Sequence, residues 1–159
     1  MRKMLLIDIS KCTGCEMCMD VCSSRGGKAY SVKGSRIRVL KDEIRSSFIP
    51  LVCEHCREHP CVDVCPTGAI VYDNELSVFT VNNSACIGCG ACAEICPYDG
   101  IFINDGVAMK CDLCGGDPAC AKVCYPKAIQ YVEVTDETIV TDLNQKIEKL
   151  KVLERDSYE

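Results

Sequence analysis

Short runs of apolar and β-branched residues, separated by turn-forming residues, recur along residues 1–134. Runs of this length are typical of β-strands rather than of helices. They predict strands at residues 5–9, 36–40, 48–52, 69–72, 78–81, 101–103, 107–109 and 128–134. Asp73-Asn74 and Asn104-Asp105-Gly106 have turn-forming sequences, so the strands on either side of each turn are predicted to form a β-hairpin.

The C-terminal segment, residues 135–159, has a different pattern. Apolar residues recur at Ile139, Leu143, Ile147 and Leu150 with charged residues between them. This is the spacing of one face of an amphipathic helix. A C-terminal helix is therefore predicted, which either packs back on its own domain or serves as a docking segment for a partner subunit.

Sixteen cysteines fall into four groups of four, with none left over. The groups are Cys12, Cys15, Cys18 and Cys22; Cys53, Cys56, Cys61 and Cys65; Cys86, Cys89, Cys92 and Cys96; and Cys111, Cys114, Cys120 and Cys124. Groups one and three have the spacing C-x2-C-x2-C-x3-C, whereas groups two and four have a longer middle gap. This alternation indicates a duplicated unit. The three-residue step before each last cysteine predicts one turn of helix.

Composition favours metal binding over disulfide formation. The apolar run from Met4 to Ile7 ends at Asp8 and is shorter than the apolar segment of a secretory signal. No run approaches the roughly 18 apolar residues of a membrane span. We therefore expect a cytoplasmic chain without a membrane span, whose thiols stay reduced and are available as ligands. The formal net charge of −5 argues against a nucleic-acid partner.

Three cysteines in one short loop can surround a single 4Fe-4S cluster. In the segment 86–92, Gly88 and Gly90 leave room for backbone N–H groups to approach cluster sulfides. In bacterial two-cluster ferredoxins the fourth cysteine precedes a proline and binds the neighbouring cluster. Cys65-Pro66 and Cys96-Pro97 have this signature.

Other kinds of cysteine site fit the spacing less well. Zinc ribbons place two C-x2-C pairs roughly 15–20 residues apart, and haem attachment requires C-x-x-C-H, which is absent. A redox dithiol at Cys53–Cys56 would leave Cys61 and Cys65 unexplained. Cys22 and Cys124 lack the adjacent proline, but no ligand is missing. The sequence therefore predicts four 4Fe-4S clusters bound by all sixteen cysteines, and an apoprotein that is largely unfolded.

Two further sets of residues have open interpretations. The group-two loop contains His55 and His59, which either tune a cluster or donate to a partner, or are solvent-exposed bystanders. Four basic residues form either a solvated strand face or a docking contact: Arg36, Arg38, Lys41 and Arg45. No phosphate-binding loop or nucleophile motif occurs, so we expect a chain that is not catalytic alone.

The sequence resembles the four-cluster ferredoxin-like subunits of molybdenum and tungsten enzymes, the dimethyl sulfoxide reductase iron–sulfur subunit family. All four cysteine groups match in order and spacing over about residues 1–134. The compact group four and the strand at 35–39 are similar to the short, soluble members. The resemblance implies an α+β fold of two interleaved bacterial ferredoxin-like lobes, each around two 4Fe-4S clusters. Lobe one takes residues 1–40 and 105–134, and lobe two takes residues 41–104.

Spacing alone does not say whether group one shares its clusters with group two or with group four. Members of the family pair group one with group four and group two with group three, which implies four ligand sets. Set one is Cys12, Cys15, Cys18 and Cys124; set two is Cys111, Cys114, Cys120 and Cys22; set three is Cys53, Cys56, Cys61 and Cys96; set four is Cys86, Cys89, Cys92 and Cys65. A cut at mid-sequence is then not expected to give two stable halves.

The resemblance also implies a role in electron transfer. Short members accompany tungsten-dependent aldehyde oxidoreductases, so the expected partners are a large tungsten- or molybdenum-pterin subunit and a second redox protein. That second protein would be a ferredoxin, a flavoprotein or a further copy of this chain. The alternatives are a subunit of a carbon monoxide dehydrogenase, hydrogenase or formate dehydrogenase complex, a free polyferredoxin carrier, or a purely structural cysteine-rich module.

Overall fold

A computed structural model describes residues 2–25, 29–44, 46–135 and 147–148. Within these residues, eight strands alternate with four short helices. The strands are β1 Arg2–Ile7, β2 Ile37–Asp42, β3 Ser47–Val52, β4 Ile70–Asp73, β5 Val78–Val81, β6 Ile101–Asn104, β7 Val107–Lys110 and β8 Ile129–Val134. The helices are α1 Met17–Ser23, α2 Pro60–Asp63, α3 Ala91–Glu94 and α4 Ala119–Val123. The predicted mixture of helix and strand is confirmed.

The first strand ends earlier than predicted. We expected a strand at residues 5–9, but β1 stops at Ile7 and a 3-10 turn follows over Ile9–Lys11. The carboxylate of Asp8 accepts a hydrogen bond from the backbone N–H of Ser10 and so caps this turn. An aspartate that caps a turn in this way draws the chain out of the strand.

The strands pair into four antiparallel two-stranded sheets. Both predicted hairpins are confirmed, since β4 pairs with β5 and β6 pairs with β7. β2 also pairs with β3. The remaining pair is non-local: β1 lies beside β8, with Arg2 opposite Val134 and Ile7 opposite Ile129. This pairing brings the segment before group one next to the segment after group four.

Each short helix carries the third cysteine of its group, namely Cys18, Cys61, Cys92 and Cys120, and all four of these are buried. Helix α1 packs against α4, and α2 packs against α3. The helices therefore bring group one to group four and group two to group three.

Two apolar cores surround the cysteines. The first contains Leu5, Ile7, Ile37, Leu113 and Ile129 together with buried cysteines of groups one, two and four. The second is smaller and contains Ile70, Ile101 and Ala108 together with Cys61 and Cys92. Cysteine side chains therefore form part of both cores. The lobe boundaries inferred from the resemblance stay a prediction.

Most of the predicted C-terminal helix lies outside the described residues, so its existence and role stay predictions. In the described part of the chain, no helix is both long enough and apolar enough to cross a bilayer.

Candidate iron–sulfur sites

One cavity is lined by cysteines from both ends of the chain. Cys12, Cys15, Cys18 and Cys124 line it, together with apolar groups such as Val39. Pro126, which follows Cys124 one place later than in the usual signature, lines the same cavity. Four sulfurs therefore face a single pocket, and they come from groups one and four.

A second cavity combines groups two and three. Cys86, Cys89 and Cys92 line it together with Cys65. The backbone N–H of Ala108, on β7, donates a hydrogen bond to the Cys86 sulfur over 3.5 Å. The two cavities thus have the same composition, with three cysteines from one loop and the last cysteine of another group.

Among the remaining eight cysteines, the last cysteine of one group again lies near the first three cysteines of another group. Burial raises the pKa of Cys120 to about 12, and the neighbouring thiols of Cys114 and Cys22 add to the shift. Burial likewise raises the pKa of Cys56, with a further contribution from Cys96. Cys22 packs against the core that contains Cys111 and Cys120, and Cys96 packs against the core that contains Cys61. Cys22 therefore lies near group four, and Cys96 lies near group two.

The four sets adjoin in a linear order. Burial raises the pKa of Cys18 of set one, and the neighbouring Cys120 of set two raises it further. Cys111 of set two is buried, which raises its pKa well above the usual range, and Cys53 of set three adds to this. Cys61 of set three and Cys92 of set four lie in one apolar core. Cys15 and Cys89, in the two outer sets, are the only exposed cysteines of the sixteen.

The last cysteine of each group accepts a backbone hydrogen bond. The donors are Arg36 N to Cys22 and Ala69 N to Cys65, both at 3.3 Å, Gly100 N to Cys96 at 3.4 Å, and Ile129 N to Cys124 at 3.3 Å. Such bonds stabilise thiolate over thiol. At Cys65 burial opposes the effect, but the N–H groups of Ala69 and Thr67 lower its pKa. The Cys65 sulfur is therefore prepared to carry negative charge.

His55 does not have the solvent exposure expected of a bystander, because it is 3% exposed. Its Nδ1 lies 3.3 Å from the ammonium nitrogen of Lys110, which is also buried. Burial, with the nearby charges of Lys110 and Arg2, holds the pKa of His55 well below its usual range. His59 is different, since its ring packs on Phe79 with centroids 4.5 Å apart. Our residue-by-residue interpretation of the sequence missed Lys110 altogether.

Three of the four basic residues in and beside β2 make contacts within the chain, and a docking role for them stays a prediction. The Arg36 guanidinium lies 3.8 Å from the Asp112 carboxylate, which also binds Arg25 at 2.7 Å. The Arg38 guanidinium stacks on Phe102, 4.0 Å from the ring centroid. Lys41 and Glu16 form an ion pair of 3.0 Å. These cations hold separate segments together, and Arg45 lies outside the described residues.

The donor chemistry of the cavities fits iron–sulfur clusters. All sixteen cysteines are free thiols, and several of them are buried among apolar side chains, where burial raises the pKa of Cys18 to about 12 and that of Cys61 to about 11. Such thiols stay protonated at neutral pH unless a strongly cationic group replaces the proton. Sets of soft thiolate ligands select iron–sulfur clusters or zinc.

Fold and sites together define an iron–sulfur protein of the ferredoxin-like class. The family model of the 4Fe-4S dicluster domain matches residues 44–134, and that of a 4Fe-4S binding domain matches residues 9–27. The chain therefore belongs to the 4Fe-4S dicluster domain family.

Relatives of similar length occur in archaea and bacteria. The chain is 35% identical to an uncharacterized ferredoxin of Methanocaldococcus jannaschii, over 86% of this chain and 75% of that protein. It is 37% identical to the polyferredoxin-like subunit of the aliphatic sulfonate oxidoreductase of Pyrococcus furiosus, over 76% and 70%. It is 32% identical to the thiosulfate reductase electron transfer subunit PhsB of Salmonella typhi, over 89% and 81%.

The fold is shared with a solved structure. A chain of the BamBC active site complex of benzoyl coenzyme A reductase has a TM-score of 0.51 and 22% identity, and the match covers 99% of this chain and 97% of that one. At this identity the likeness concerns the fold alone.

Proposed function

We propose that this chain is the electron-transfer subunit of an oxidoreductase complex and carries four 4Fe-4S clusters. The observation that carries the proposal is the linear order of the four cysteine sets. Each set adjoins the next, and the exposed cysteines Cys15 and Cys89 belong to the two outer sets. An arrangement of this kind suits transfer between two partners that dock at different places.

The cysteine sets assign ligands to each cluster. Clusters one to four are held by sets one to four, and the outer sets, one and four, are supported by the two cavities that four sulfurs line. The inner sets, two and three, are supported by the mutual effects of their thiols on one another's pKa. Every set then takes three ligands from one group and the last ligand from another.

When bound, each 4Fe-4S cluster supplies a site that accepts and releases one electron. The chain's own residues hold and insulate these sites. Backbone N–H groups such as those of Arg36 and Gly100 point the positive ends of their dipoles at ligand sulfurs. Val39 and Ile70 line the cavities and exclude water. The N–H dipoles stabilise the reduced site and raise its potential, whereas the exclusion of water disfavours the added negative charge and lowers the potential.

The proposed catalytic partner is a large subunit with a tungsten- or molybdenum-pterin centre, most specifically an aldehyde oxidoreductase. The family resemblance supports this assignment, and the relatives named as subunits of a sulfonate oxidoreductase and a thiosulfate reductase are compatible with the broader class. The chain itself is not proposed to be catalytic.

Iron and sulfide analysis with EPR of anaerobically prepared protein tests the cluster assignment. The expected result is four clusters per chain, reversible reduction, and visible absorbance that bleaches on reduction. A preparation with substantially fewer than four clusters, or one that holds zinc and is colourless, would contradict the proposal.

A free polyferredoxin carrier is the second candidate, because one relative is described as a ferredoxin and another as polyferredoxin-like. Gel filtration of native extract separates the two functions. Elution near the chain mass of 17.5 kDa favours the carrier, whereas co-elution with a large subunit favours the complex. Deletion of residues 136–159 then tests the tail: a docking helix predicts that clusters are retained while the complex is lost.

A further inference from the structure

Two buried polar side chains lie between the inner cysteine sets without belonging to any of them. Lys110 ends β7, directly before Cys111 of set two, and His55 lies between Cys53 and Cys56 of set three. Their exposed fractions are only 4% and 3%. The Lys110 ammonium donates a hydrogen bond of 2.7 Å to the carbonyl of Phe79 and lies 3.3 Å from His55 Nδ1.

The contact with Lys110 determines where His55 carries its proton. A lysine ammonium has donors only, so Nδ1 must accept, and the imidazole proton is then on Nε2. Nε2 is buried and finds no hydrogen-bond partner among the residues that the structure describes. Buried N–H groups are nearly always satisfied, so an acceptor outside the polypeptide described here is required.

The backbone holds this imidazole in place. Arg2 donates a hydrogen bond of 3.0 Å from Nη2 to the His55 carbonyl, which ties the loop to β1. The backbone N–H of His55 donates to the Cys53 sulfur over 3.4 Å, and His55 has a left-handed φ of +47°. These two backbone hydrogen bonds and the Lys110 contact at Nδ1 fix His55, whose side-chain Nε2 has no described hydrogen-bond partner.

Given the proposed cluster assignment, on which this inference rests, we propose that His55 Nε2–H donates a hydrogen bond to the 4Fe-4S cluster of set three, at a sulfide or a ligand thiolate. We further propose that the Lys110 ammonium supplies a fixed positive charge between sets two and three. Together they raise the reduction potentials of the two inner clusters relative to the outer ones, because both stabilise the added negative charge.

The charge of Lys110 already acts on a ligand of set three. Burial raises the pKa of Cys61, and the strongest opposing influence is Lys110. An ammonium that favours one thiolate of a set also favours the reduced state of the cluster that the set binds. Lys110 is the residue at the junction of the two inner sets, where electrons pass between the two groups of clusters.

A redox titration that is followed by EPR tests the proposed effect of the Lys110 charge on the cluster potentials. In the holoprotein, Lys110→Met should lower the reduction potential of one or two clusters. At a fixed applied potential, the ratio of reduced to oxidised cluster should then fall at least tenfold. A tenfold fall corresponds to a potential shift of about 59 mV for a one-electron couple. Lys110→Arg should keep the wild-type potentials. The matched control is Lys122→Met, which removes the same charge from an exposed position near group four. The role of Lys110 would be overturned if Lys110→Met and the wild type had equal reduction potentials. It would also be overturned if Lys122→Met shifted the potentials as much as Lys110→Met does.

The hydrogen bond is tested first in a protein that keeps His55, and then by replacing His55. The chain contains only two histidines, so a His59→Asn variant grown with histidine that carries 15N only at ring Nε2 labels the side-chain donor of His55 alone. The backbone N–H of His55, which already contacts the Cys53 sulfur, stays unlabelled. Pulsed EPR of the reduced holoprotein should then show a 15N coupling to one cluster, and His55→Leu should lower the potential of that same cluster. A reduced sample with no 15N coupling would overturn the role of His55, and it would point to ordered water as the acceptor. A protein without four reducible clusters would instead fail the proposed function, which iron analysis of the wild type distinguishes.

Discussion

A methyl group at Gly88 would collide with the backbone of another segment, whereas one at Gly90 would not. The two glycines lie in the same cysteine loop and have left-handed φ angles of +65° and +85°. A Cβ at Gly88 would lie 2.3 Å from the carbonyl oxygen of Gly106, and a Cβ at Gly90 would have no described heavy atom within 4 Å. Gly88→Ala and Gly90→Ala therefore form a matched pair.

The two variants share one penalty and differ in another. The left-handed conformation costs about 1–2 kcal/mol for an alanine at either position. Overpacking costs about 1–3 kcal/mol more, and it applies only at Gly88. Gly106 is in the turn between β6 and β7 and presents backbone rather than a side chain that can rotate away. We expect Gly88→Ala to be less stable than Gly90→Ala by about 2 kcal/mol, a factor of roughly 30.

The collision also reaches a ligand sulfur. Displacement of Gly106 moves the start of β7, and Ala108 on this strand donates its N–H to Cys86. Loss of that bond should weaken the site of set four in addition to the fold.

The rate of absorbance bleaching in guanidinium under anaerobic conditions measures this difference. A rate is the suitable quantity because unfolding with cluster loss is irreversible. Bleaching of Gly88→Ala should be at least about tenfold faster than that of Gly90→Ala, since strain present only in the native state speeds unfolding. Equal rates would refute the reasoning, because they would show that the Gly106 carbonyl does not confine residue 88.

Three further predictions concern stability and assembly. Asp112→Asn should speed bleaching by an amount equivalent to about 1 kcal/mol, because Asp112 binds both Arg25 and Arg36. The control Asp117→Asn, which changes a more exposed ion pair, should have no measurable effect on the bleaching rate. Equal effects of the two substitutions would contradict this prediction. Removal of iron by a chelator should abolish most far-UV circular dichroism, and a native-like spectrum in the apoprotein would be evidence against a cluster-dependent core. A fragment of residues 1–80 should not form a folded two-cluster unit, because β1 loses its pairing with β8; iron analysis and circular dichroism of the fragment check this.

Local features of the fold could be predicted from sequence, and non-local ones could not. The hairpins are encoded within a few residues, because turn sequences such as Asn104-Asp105-Gly106 connect two β-rich runs. The pairing of β1 with β8 joins residues 2 and 134, and no turn sequence specifies it. Similarly, cysteine spacing predicts four groups, but it does not say which group supplies the last ligand of each set.

The buried Lys110 shows why part of the site was missed. Alternation along β7 puts Ala108 and Lys110 on the same buried face, so the period-two pattern indicates an inward lysine. Lysine is among the residues that are least often buried, and this general rule outweighs the local pattern unless a counter-charge is expected. Here the counter-charge would come from iron–sulfur clusters with their thiolate ligands. The sequence evidence for the clusters is therefore also evidence that the lysine at position 110 is buried.

We expect cluster assembly and folding to be one process in this chain, because the same residues serve both. Cys18 and Cys120 are buried in the larger core and Cys61 and Cys92 in the smaller one. Burial raises the pKa of Cys18 and Cys120 to about 12 and that of Cys61 to about 11, so without iron these thiols keep their protons and leave the cavities unfilled. A bound cluster displaces the protons and connects two segments that are distant in sequence, which a small apolar core does not achieve alone. The cysteine spacing is therefore at once the signature of the chemistry and the main determinant of the fold.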